Sequence, residues 1–299
     1  GQLALKKILS NSSFKIKFVT PRYDSQDPIL KKIAIDNSIP FLTHQNVNSK
    51  EYVDLIKKFK LDIGISMSFN QIIKHDLINQ PNYGFINCHA GALPFYRGRN
   101  PLNWVLINGE KNFGITVHHI DEGIDTGDII LQKLFKIDAN DNYKTLLDKS
   151  SKECASILYE ALVKIYQGTA DRINQKKIHP MGFYCSTRVK GDEILNWKQS
   201  SISIYNFIRA ISDPGPGART YVNGNEISIQ NSELVKDSPS YIGIPGEVVG
   251  IDEFGIIVKT MDSTIKITKV IPIIDDKTLK SEVPSFAIGT RMKSNTNEK

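Results

Sequence analysis

The sequence predicts an α/β protein in which a Rossmann-like sheet with helices on both faces is followed by a small OB-like β-barrel. In the first part of the chain, short apolar runs alternate with longer runs of helical period, which is typical of a sheet covered on both sides. After about residue 186, short strands separated by turn residues take over, as in a small barrel. We expect a first domain over residues 1–186, a linker over 187–203, a helix with the barrel over 204–290 and a disordered tail over 291–299.

Helix signals order the first domain. Residues 1–9 have the pattern of a helix from their first residue on. Because a doubly wound domain begins with a strand and a glycine-bearing loop, we expect a further strand upstream. Asp27, followed by proline, opens a short helix, and Asn48 marks the start of another. A long helix is expected over residues 141–168, with Asp141 as its cap.

Five apolar runs of strand length are expected to form a largely parallel sheet between these helices. The runs are residues 14–20, 62–67, 84–89, 114–120 and 129–135.

The second domain is predicted from one helix and several turns. Residues 200–211 form an amphipathic pattern. Asn223-Gly224 between two alternating runs is a strong hairpin signal, and further turns fall at residues 252–255 and 261–263.

Composition bounds the class of protein. The chain is 40% apolar and 23% charged, which is typical of a globular protein. No apolar run approaches the roughly 20 residues that cross a bilayer, and the start lacks a secretory pattern, so we expect a cytoplasmic protein without membrane contact. The net charge of +6 is compatible with an anionic ligand. Cys88, Cys154 and Cys185 show no paired spacing, and Cys88 is expected to be a buried structural thiol.

One segment carries groups suited to acyl transfer. Asn87 and His89 stand two apart on a predicted strand and project to the same face, at the carboxyl end where open sheets bind ligands. His89 can accept a proton near neutral pH, Asn87 can donate a hydrogen bond to a developing oxyanion, and Asp125 can orient the imidazole and raise its basicity. No serine or lysine of the segment is an obvious covalent nucleophile, so the set favours direct attack of a bound amine on a bound acyl donor.

Structural roles compete with these readings. A lone histidine on a strand is more often a hydrogen-bonded structural residue than a catalyst, so the role of His89 is a hypothesis. The three aspartates within residues 121–128 do not follow the calcium-loop spacing, and His118 and His119 face opposite sides of a strand, so no metal site is expected. Residues 214–217 resemble a phosphate loop but follow a helix, which favours a turn.

The same segment resembles the folate-dependent formyltransferases, a family that includes methionyl-tRNA formyltransferase, nucleotide-sugar N-formyltransferases and, more distantly, glycinamide ribonucleotide transformylase. The residues that carry the resemblance are Asn87-Cys-His89, Leu93-Pro94, Tyr96-Arg97-Gly98 and Asp125-Thr-Gly127. The similarity runs from about residue 1 to about residue 285, so the first domain would be the catalytic formyltransferase domain.

The resemblance implies transfer of a formyl group from the co-substrate 10-formyltetrahydrofolate to an amine, without a metal. Asn87, His89 and Asp125 would be the catalytic residues, and the pterin pocket would lie between the loop after residues 62–67 and the loop that carries Asp125. The cofactor-binding residues it implies are Gln71, Ile72, Ile73, Arg99, Asp121, Glu122, Gly123 and Ile124.

Three features favour a small-molecule nucleotide-sugar acceptor. Residues 96–104 resemble the UDP-4-amino-4-deoxy-L-arabinose formyltransferases, with Arg99 where the tRNA enzymes have small residues; the alternative is a surface arginine. Residues 209–218 resemble the junction between helix and barrel in the sugar enzymes. The tRNA enzymes carry a glycine- and lysine-rich loop where residues 21–28 lack net positive charge, and a clamp for RNA should be basic.

Three other functions stay open. The first is formylation of initiator tRNA by a methionyl-tRNA formyltransferase, and the second is hydrolysis of the folate by a formyltetrahydrofolate hydrolase. The third is a non-catalytic module that binds nucleic acid through a basic barrel. The sequence is compatible with a homodimer.

Overall fold

The computed structural model describes residues 1–274 and 277–295, and the chain divides into two compact units. Unit 1 comprises Gly1–Pro101, Asn112–Lys136 and Asp148–Ser186, and unit 2 comprises Leu102–Lys111, Ile137–Leu147 and Thr187–Lys299. Among the described helices, none combines the length and apolar character that a bilayer span requires.

The helices, in chain order, are α1 (Gln2–Leu9), α2 (Pro28–Asp36), α3 (Lys50–Lys57), α4 (His75–Ile78), α5 (Pro101–Ile107), α6 (Tyr143–Tyr166), α7 (Gln175–Ile178) and α8 (Ser201–Ile211). The strands are β1 (Gly64–Met67), β2 (Phe85–His89), β3 (Arg97–Gly98), β4 (Asn112–His119), β5 (Ile129–Lys136), β6 (Tyr184–Cys185), β7 (Ala218–Val222), β8 (Asn225–Leu234), β9 (Val248–Asp252), β10 (Gly255–Lys259), β11 (Thr264–Ile274), β12 (Lys277–Thr278) and β13 (Met292–Lys293). This architecture confirms the predicted α/β class with a second, barrel-like β domain.

Side-chain caps define where the predicted helices begin. Asp27 caps α2 as predicted, accepting from two backbone N–H groups of the first turn. The start predicted at Asn48 is one residue early, because Ser49 caps α3. Asn48 instead holds the loop after β1: its Oδ1 accepts from the Lys74 N–H at 2.8 Å and its Nδ2 donates to the Ile72 carbonyl at 2.8 Å.

The cap predicted at Asp141 is also displaced by one residue. Asn142 Oδ1 accepts the backbone N–H of Thr145 at 3.1 Å, as a helix cap does. Asp141 Oδ1 accepts from the Thr145 hydroxyl at 2.8 Å. Neighbouring Asp and Asn residues are both good caps, so the sequence alone does not choose between them.

The central sheet of unit 1 has the strand order β1-β2-β4-β5. Only β1 and β2 are parallel, whereas β2–β4 and β4–β5 are antiparallel. The prediction of a largely parallel sheet is therefore wrong. Strands that are buried on both faces read as continuous apolar runs whichever way they run, so the pattern does not encode direction.

Residues 14–20, predicted as a strand, do not form a ladder in the described structure. Val19 makes one parallel bridge to Phe41, with hydrogen bonds of 2.9 Å to the Pro40 carbonyl and 2.8 Å from the Leu42 N–H. An apolar groove of about 780 Å³ is lined by this segment and by β1. The strand expected upstream of α1 stays a prediction.

Unit 2 is built on a curled antiparallel sheet with the order β13-β7-β8-β11-β10-β9. A bridge between Glu247 and Arg291 joins its two edges. The hairpin predicted at Asn223-Gly224 is confirmed, because both residues have positive φ (50° and 81°) and connect β7 to β8.

Two domain-boundary predictions need correction. Met292 and Lys293, in the predicted tail, pair with β7 and Met292 is only 2% exposed; residues 296–299 lie outside the described part. Within the predicted linker, Leu195 and Trp197 are buried, and Trp197 Nε1 donates to Thr220 Oγ1 at 2.9 Å. Both segments are short, so neither carries a periodic signal.

Candidate active site

Strand β2 presents Asn87 and His89 to one side of the sheet and Cys88 to the other. Cys88 is buried and its thiol donates to the Cys154 carbonyl at 3.6 Å. Hydrogen bonding to Cys154 and burial raise the pKa of the Cys88 thiol well above its usual value. A thiol that stays protonated is a poor nucleophile, which agrees with the structural role expected for it.

The loop between β4 and β5 carries Asp125 in a constrained turn. Asp125 adopts the left-handed backbone region, with φ of 53°, and Asp121 Oδ1 closes the turn by accepting from the Thr126 hydroxyl at 2.6 Å. Gly127 is required by close packing, because a Cβ there would lie 1.9 Å from the His119 carbonyl. The strained backbone is held by these contacts, as is common at functional sites.

The Asp125 carboxylate brings the predicted catalytic residues together. Its Oδ2 accepts from the Gly98 N–H at 2.8 Å and lies 3.5 Å from His89 Nδ1. Its Oδ1 lies 3.5 Å from Asn87 Nδ2 and 3.4 Å from Nε2 of His118. Asn87, His89 and Asp125 therefore lie together, and their catalytic roles stay a prediction.

Asp125 is a carboxylate at neutral pH. Burial raises the pKa of this group, but the contact with His118, the charge that His89 carries once it is protonated in acid and the Gly98 N–H together outweigh it and hold the pKa at about 2. The site therefore contains a fixed negative charge beside two imidazoles.

His89 is buried and has one nitrogen committed to a backbone group. Its Nε2 lies 2.7 Å from the Tyr96 carbonyl, and since a carbonyl only accepts, Nε2 carries the proton. Burial lowers the pKa of His89, with partial opposition from Asp125 and the Tyr96 carbonyl, so the ring is neutral at pH 7. Gly91 leaves room for it, because a Cβ there would lie 2.5 Å from His89 Nε2.

The proton-accepting atom of His89 is therefore Nδ1. This nitrogen faces Asp125 Oδ2 at 3.5 Å, so a proton arriving on Nδ1 would meet a carboxylate that stabilises it. Together, His89 and Asp125 can accept a proton from a reacting group and hold it near the site.

His118 is a site residue that sequence reasoning missed. His118 is 2% exposed, and its Nε2 contacts both Asn87 Nδ2 (3.2 Å) and Asp125 Oδ1 (3.4 Å). The register of the sheet places it there: His118 pairs directly with Asn87 across β2 and β4, and opposed residues lie on the same face. The sequence gives no signal for this pairing, because it does not encode the direction of β4.

Gln175 is a second residue that the sequence did not reveal. It is 2% exposed, and its Nε2 donates to the carbonyls of Asp125 and Gly127, each at 2.8 Å. Its Oε1 accepts from Arg97 Nε and Nη2 at 3.1 and 2.6 Å, and the Arg97 guanidinium stacks over the ring of Tyr184. The aromatic-Arg-Gly motif thus supports the Asp125 loop. A buried glutamine in a polar stretch leaves no pattern that would reveal it.

The residues predicted to bind the folate fall on two loops. In the loop after β1, the Gln71 side chain accepts from the Val47 N–H at 3.0 Å, Ile72 is 60% exposed and Ile73 packs in the core. In the Asp125 loop, Asp121 closes the turn and residues 122–124 are exposed. Arg99 follows β3, and its backbone N–H donates to the Cys185 carbonyl at 3.1 Å.

A neutral imidazole, a carboxylate and a carboxamide at a strand end define a site for group transfer with proton removal. The chain belongs to the formyl transferase family: residues 6–162 match the model of formyl transferase and residues 189–282 match that of the formyl transferase C-terminal domain.

Proteins with several different names are similar to this chain in sequence or in structure. The methionyl-tRNA formyltransferase of Pelotomaculum thermopropionicum is 34% identical over 242 residues, covering 81% of this chain and 76% of the relative. The bifunctional polymyxin resistance protein ArnA of Wigglesworthia glossinidia brevipalpis is 35% identical over 209 residues, covering 70% of this chain and 32% of ArnA. Among solved structures, the sugar 3N-formyl transferase WlaRD, in the presence of dTDP and 5-N-formyl-THF, is 28% identical with a TM-score of 0.66, covering 89% of this chain and 93% of WlaRD.

Proposed function

We propose that the protein transfers a formyl group from 10-formyltetrahydrofolate to the amine of a nucleotide-linked amino sugar, in the cytoplasm. The observation that carries the transfer step is the buried cluster of Asn87, His89 and Asp125 in a chain of the formyl transferase family. The small-molecule acceptor is supported by the likeness to WlaRD, which extends over nearly the whole of both chains. Three unpaired cysteines suit a reducing compartment.

The charge of the loop at residues 21–28 also favours a small acceptor over RNA. Its single arginine, Arg22, pairs with Asp24 at 3.0 Å, and Asp27 is the cap of α2. A clamp that holds an RNA stem needs unneutralised lysines and arginines against the phosphates. This loop offers no surplus positive charge.

The two loops predicted for the folate suit a flat ring with apolar faces. Each exposes an isoleucine, Ile72 at 60% and Ile124 at 50%, and each has backbone groups that can select the edge of a ring by hydrogen bonding. When bound, the folate supplies an activated formyl carbonyl.

The residues of the chain handle the proton and the charge of the transfer. An amine that attacks the formyl carbonyl becomes acidic, and His89 Nδ1 accepts its proton. The new bond to the amine is completed when the bond between the formyl carbon and N10 of the folate breaks, and the proton held on His89 passes to N10 as tetrahydrofolate leaves. Asp125 stabilises the resulting imidazolium at 3.5 Å, while the Gly98 N–H and the Gln175 contacts hold Asp125 and its loop in place. The carboxamide of Asn87 lies beside the same groups. Its Oδ1 can accept a hydrogen bond from the amine, and its Nδ2 can donate one to the oxyanion, so the orientation of the carboxamide decides between the two.

The test is a formyl-transfer assay with a panel of acceptors. The protein is incubated with 10-formyltetrahydrofolate and UDP-, dTDP- or GDP-linked amino sugars, tetrahydrofolate release is followed, and products are identified by mass. We expect release and an N-formyl sugar with at least one nucleotide sugar.

Other outcomes would overturn parts of the proposal. The curated relatives favour one alternative in particular, since many are methionyl-tRNA formyltransferases. Release only with methionyl initiator tRNA would replace the sugar by tRNA. Release without any amine would make the protein a formyltetrahydrofolate hydrolase, and no release together with salt-sensitive RNA binding would make it a binding module.

A further inference from the structure

We propose that Tyr184 is a binding residue of a nucleoside-diphosphate site beside the cluster of Asn87, His89 and Asp125, and that the nucleobase of the acceptor stacks on its ring. The inference rests on the proposed formyl transfer and deepens it, because it assigns the part of the protein that holds the nucleotide of the acceptor. Its basis is an exposed aromatic ring, the cations on the elements that adjoin it and its connection to Asp125, all within unit 1.

Tyr184 has one open ring face. The Arg97 guanidinium lies over the ring, 5.5 Å from its centroid, and covers one of the two faces. Tyr184 is 54% exposed, so the face that points away from Arg97 is open to solvent. Nucleobases stack on aromatic faces of this kind, and the stacking tolerates every base because each has a flat π-face.

The ring is held in place before any ligand binds. Strand β6 pairs in parallel with β3, with Arg97 opposite Tyr184. The preceding residue, Phe183, packs against the rings of Phe95 and Tyr96, with centroids 5.5 and 4.9 Å apart. A stacking surface that is already ordered loses little conformational entropy on binding.

The same pair of strands places Tyr184 close to the catalytic carboxylate. Gly98 follows Arg97 in β3, and its N–H donates to Asp125 Oδ2 at 2.8 Å. Tyr184 is opposite Arg97, which is one strand spacing, about 4.8 Å, away. One acceptor can therefore reach both places, with its amine at His89, its nucleobase on Tyr184 and a sugar and a diphosphate between them.

Cations lie on the elements that adjoin the ring. Arg99 is exposed directly after β3, which pairs with the strand of Tyr184. Lys176 and Lys177 are exposed in α7, directly after the glutamine that binds Arg97. Within the described ranges, none of these three side chains pairs with a carboxylate. An open aromatic face with unneutralised cations nearby matches a nucleotide, which combines a flat base with charged phosphates.

The first test measures nucleotide binding without any transfer. The protein is titrated by calorimetry with UDP, dTDP, GDP and inorganic pyrophosphate. We expect at least one nucleoside diphosphate to bind more tightly than pyrophosphate. Tyr184→Ala should weaken that binding about tenfold, as the loss of one stacked base does, and Tyr184→Phe should bind like the wild type because it keeps the ring.

Two results of this titration would overturn the proposal. One is that no nucleoside diphosphate binds, and the other is that Tyr184→Ala binds it as tightly as the wild type does. The titration stands even if the protein transfers no formyl group. Failure of the nucleotide site and failure of the proposed function are therefore distinguishable.

The second test uses the formyl-transfer assay with the nucleotide sugar that the panel identifies. In Tyr184→Ala the KM for the nucleotide sugar should rise about tenfold with kcat unchanged, because a contact made equally in the ground state and the transition state affects binding alone. The KM for the folate should stay unchanged. The p-aminobenzoyl-glutamate end of the folate also joins an aromatic ring to anions, so a rise in the KM for the folate instead would assign the ring to that ligand and overturn the proposal.

Phe254→Ala is the matched control. Phe254 is 62% exposed and has the Lys266 ammonium 5.3 Å from its ring centroid, but it lies in the turn between β9 and β10. The variant should bind nucleoside diphosphates and turn over both substrates like the wild type. Both variants should keep the wild-type circular dichroism spectrum, because both side chains are exposed. Equal losses of nucleotide binding in Phe254→Ala and Tyr184→Ala would contradict the proposal.

Discussion

Burial makes His89 a base rather than a cation. The ring is 8% exposed, so its charged form is costly, and its neutral form keeps a lone pair on Nδ1. Asp125 limits the fall in pKa by stabilising the protonated ring. The two effects leave a group that is ready to accept a proton at neutral pH and can retain it once transferred.

Replacing His89 by Asn should abolish most turnover while the protein stays folded. Asn cannot accept the proton, and general-base catalysis contributes about 10²–10⁴-fold, so kcat should fall within that range while folate binding persists. Calorimetry with the folate and steady-state kinetics measure both quantities. His119→Asn is the control; an H89N variant that keeps most of its activity would show that this imidazole does not transfer the proton.

Replacing Asp125 by Asn should shift the pH profile as well as the rate. In the proposed mechanism neutral His89 accepts the proton, so kcat/KM should rise as the pH passes upward through the pKa of His89. The Asp125 charge raises that pKa, so in D125N the acidic limb should move to lower pH while the plateau falls. The profile between pH 5 and pH 8 measures the shift. An acidic limb that does not move would mean that another group controls it.

At the scale of elements, the site depends on connections between loops and short strands. Gln175, at the start of α7, joins Arg97 of β3 to the backbone of the Asp125 loop. The loop at residues 71–74 is held in turn by Asn48 before α3. Elements that look unrelated along the chain therefore set the geometry of both loops.

Replacing Gln175 by Ala should lower both stability and turnover. It removes the hydrogen bonds of the Gln175 side chain to two backbone carbonyls and to the Arg97 guanidinium, which should cost about 1–3 kcal/mol, and it frees the Asp125 loop, so kcat should fall. Urea unfolding and kinetics measure the two effects. Thr220→Val is the control, because it removes buried hydrogen bonds from the barrel. It should lower stability without changing kcat, and equal kinetic losses in both variants would contradict the role of Gln175.

At the scale of the whole molecule, Met292 and Lys293 near the C-terminus belong to the barrel sheet. Met292→Ala should destabilise the protein by about 2–5 kcal/mol, because Met292 is 2% exposed and its removal leaves a cavity. Met261→Ala is the matched control, since Met261 is 63% exposed and should change stability by less than about 0.5 kcal/mol. Denaturant unfolding compares the two; equal stabilities would restore the prediction of a disordered tail.

The free energy of unfolding should depend on pH through the ionisation of Asp125. The folded pKa of about 2 lies below the value of about 3.9 expected in the unfolded chain. Its contribution is therefore present above pH 4 and is lost as the pH falls towards 2. It amounts to about 2–3 kcal/mol. The difference in unfolding free energy between wild type and D125N should shrink from pH 6 to pH 3, and a constant difference would contradict the low pKa.

The sequence alone predicted the α/β class and the hairpin at Asn223-Gly224 because both depend on local pattern, and the motifs of the family resemblance pointed to Asn87, His89 and Asp125, which lie together in the structure. Only the tertiary structure decided the direction of β4, the place of Met292 in the barrel and the contacts of His118 and Gln175 with the Asp125 loop. Those features arise from contacts between residues far apart in the chain. Strand direction, the choice of hydrogen-bond partner and the tautomer of a buried ring depend on the residues of the neighbouring element. No local sequence pattern identifies those residues.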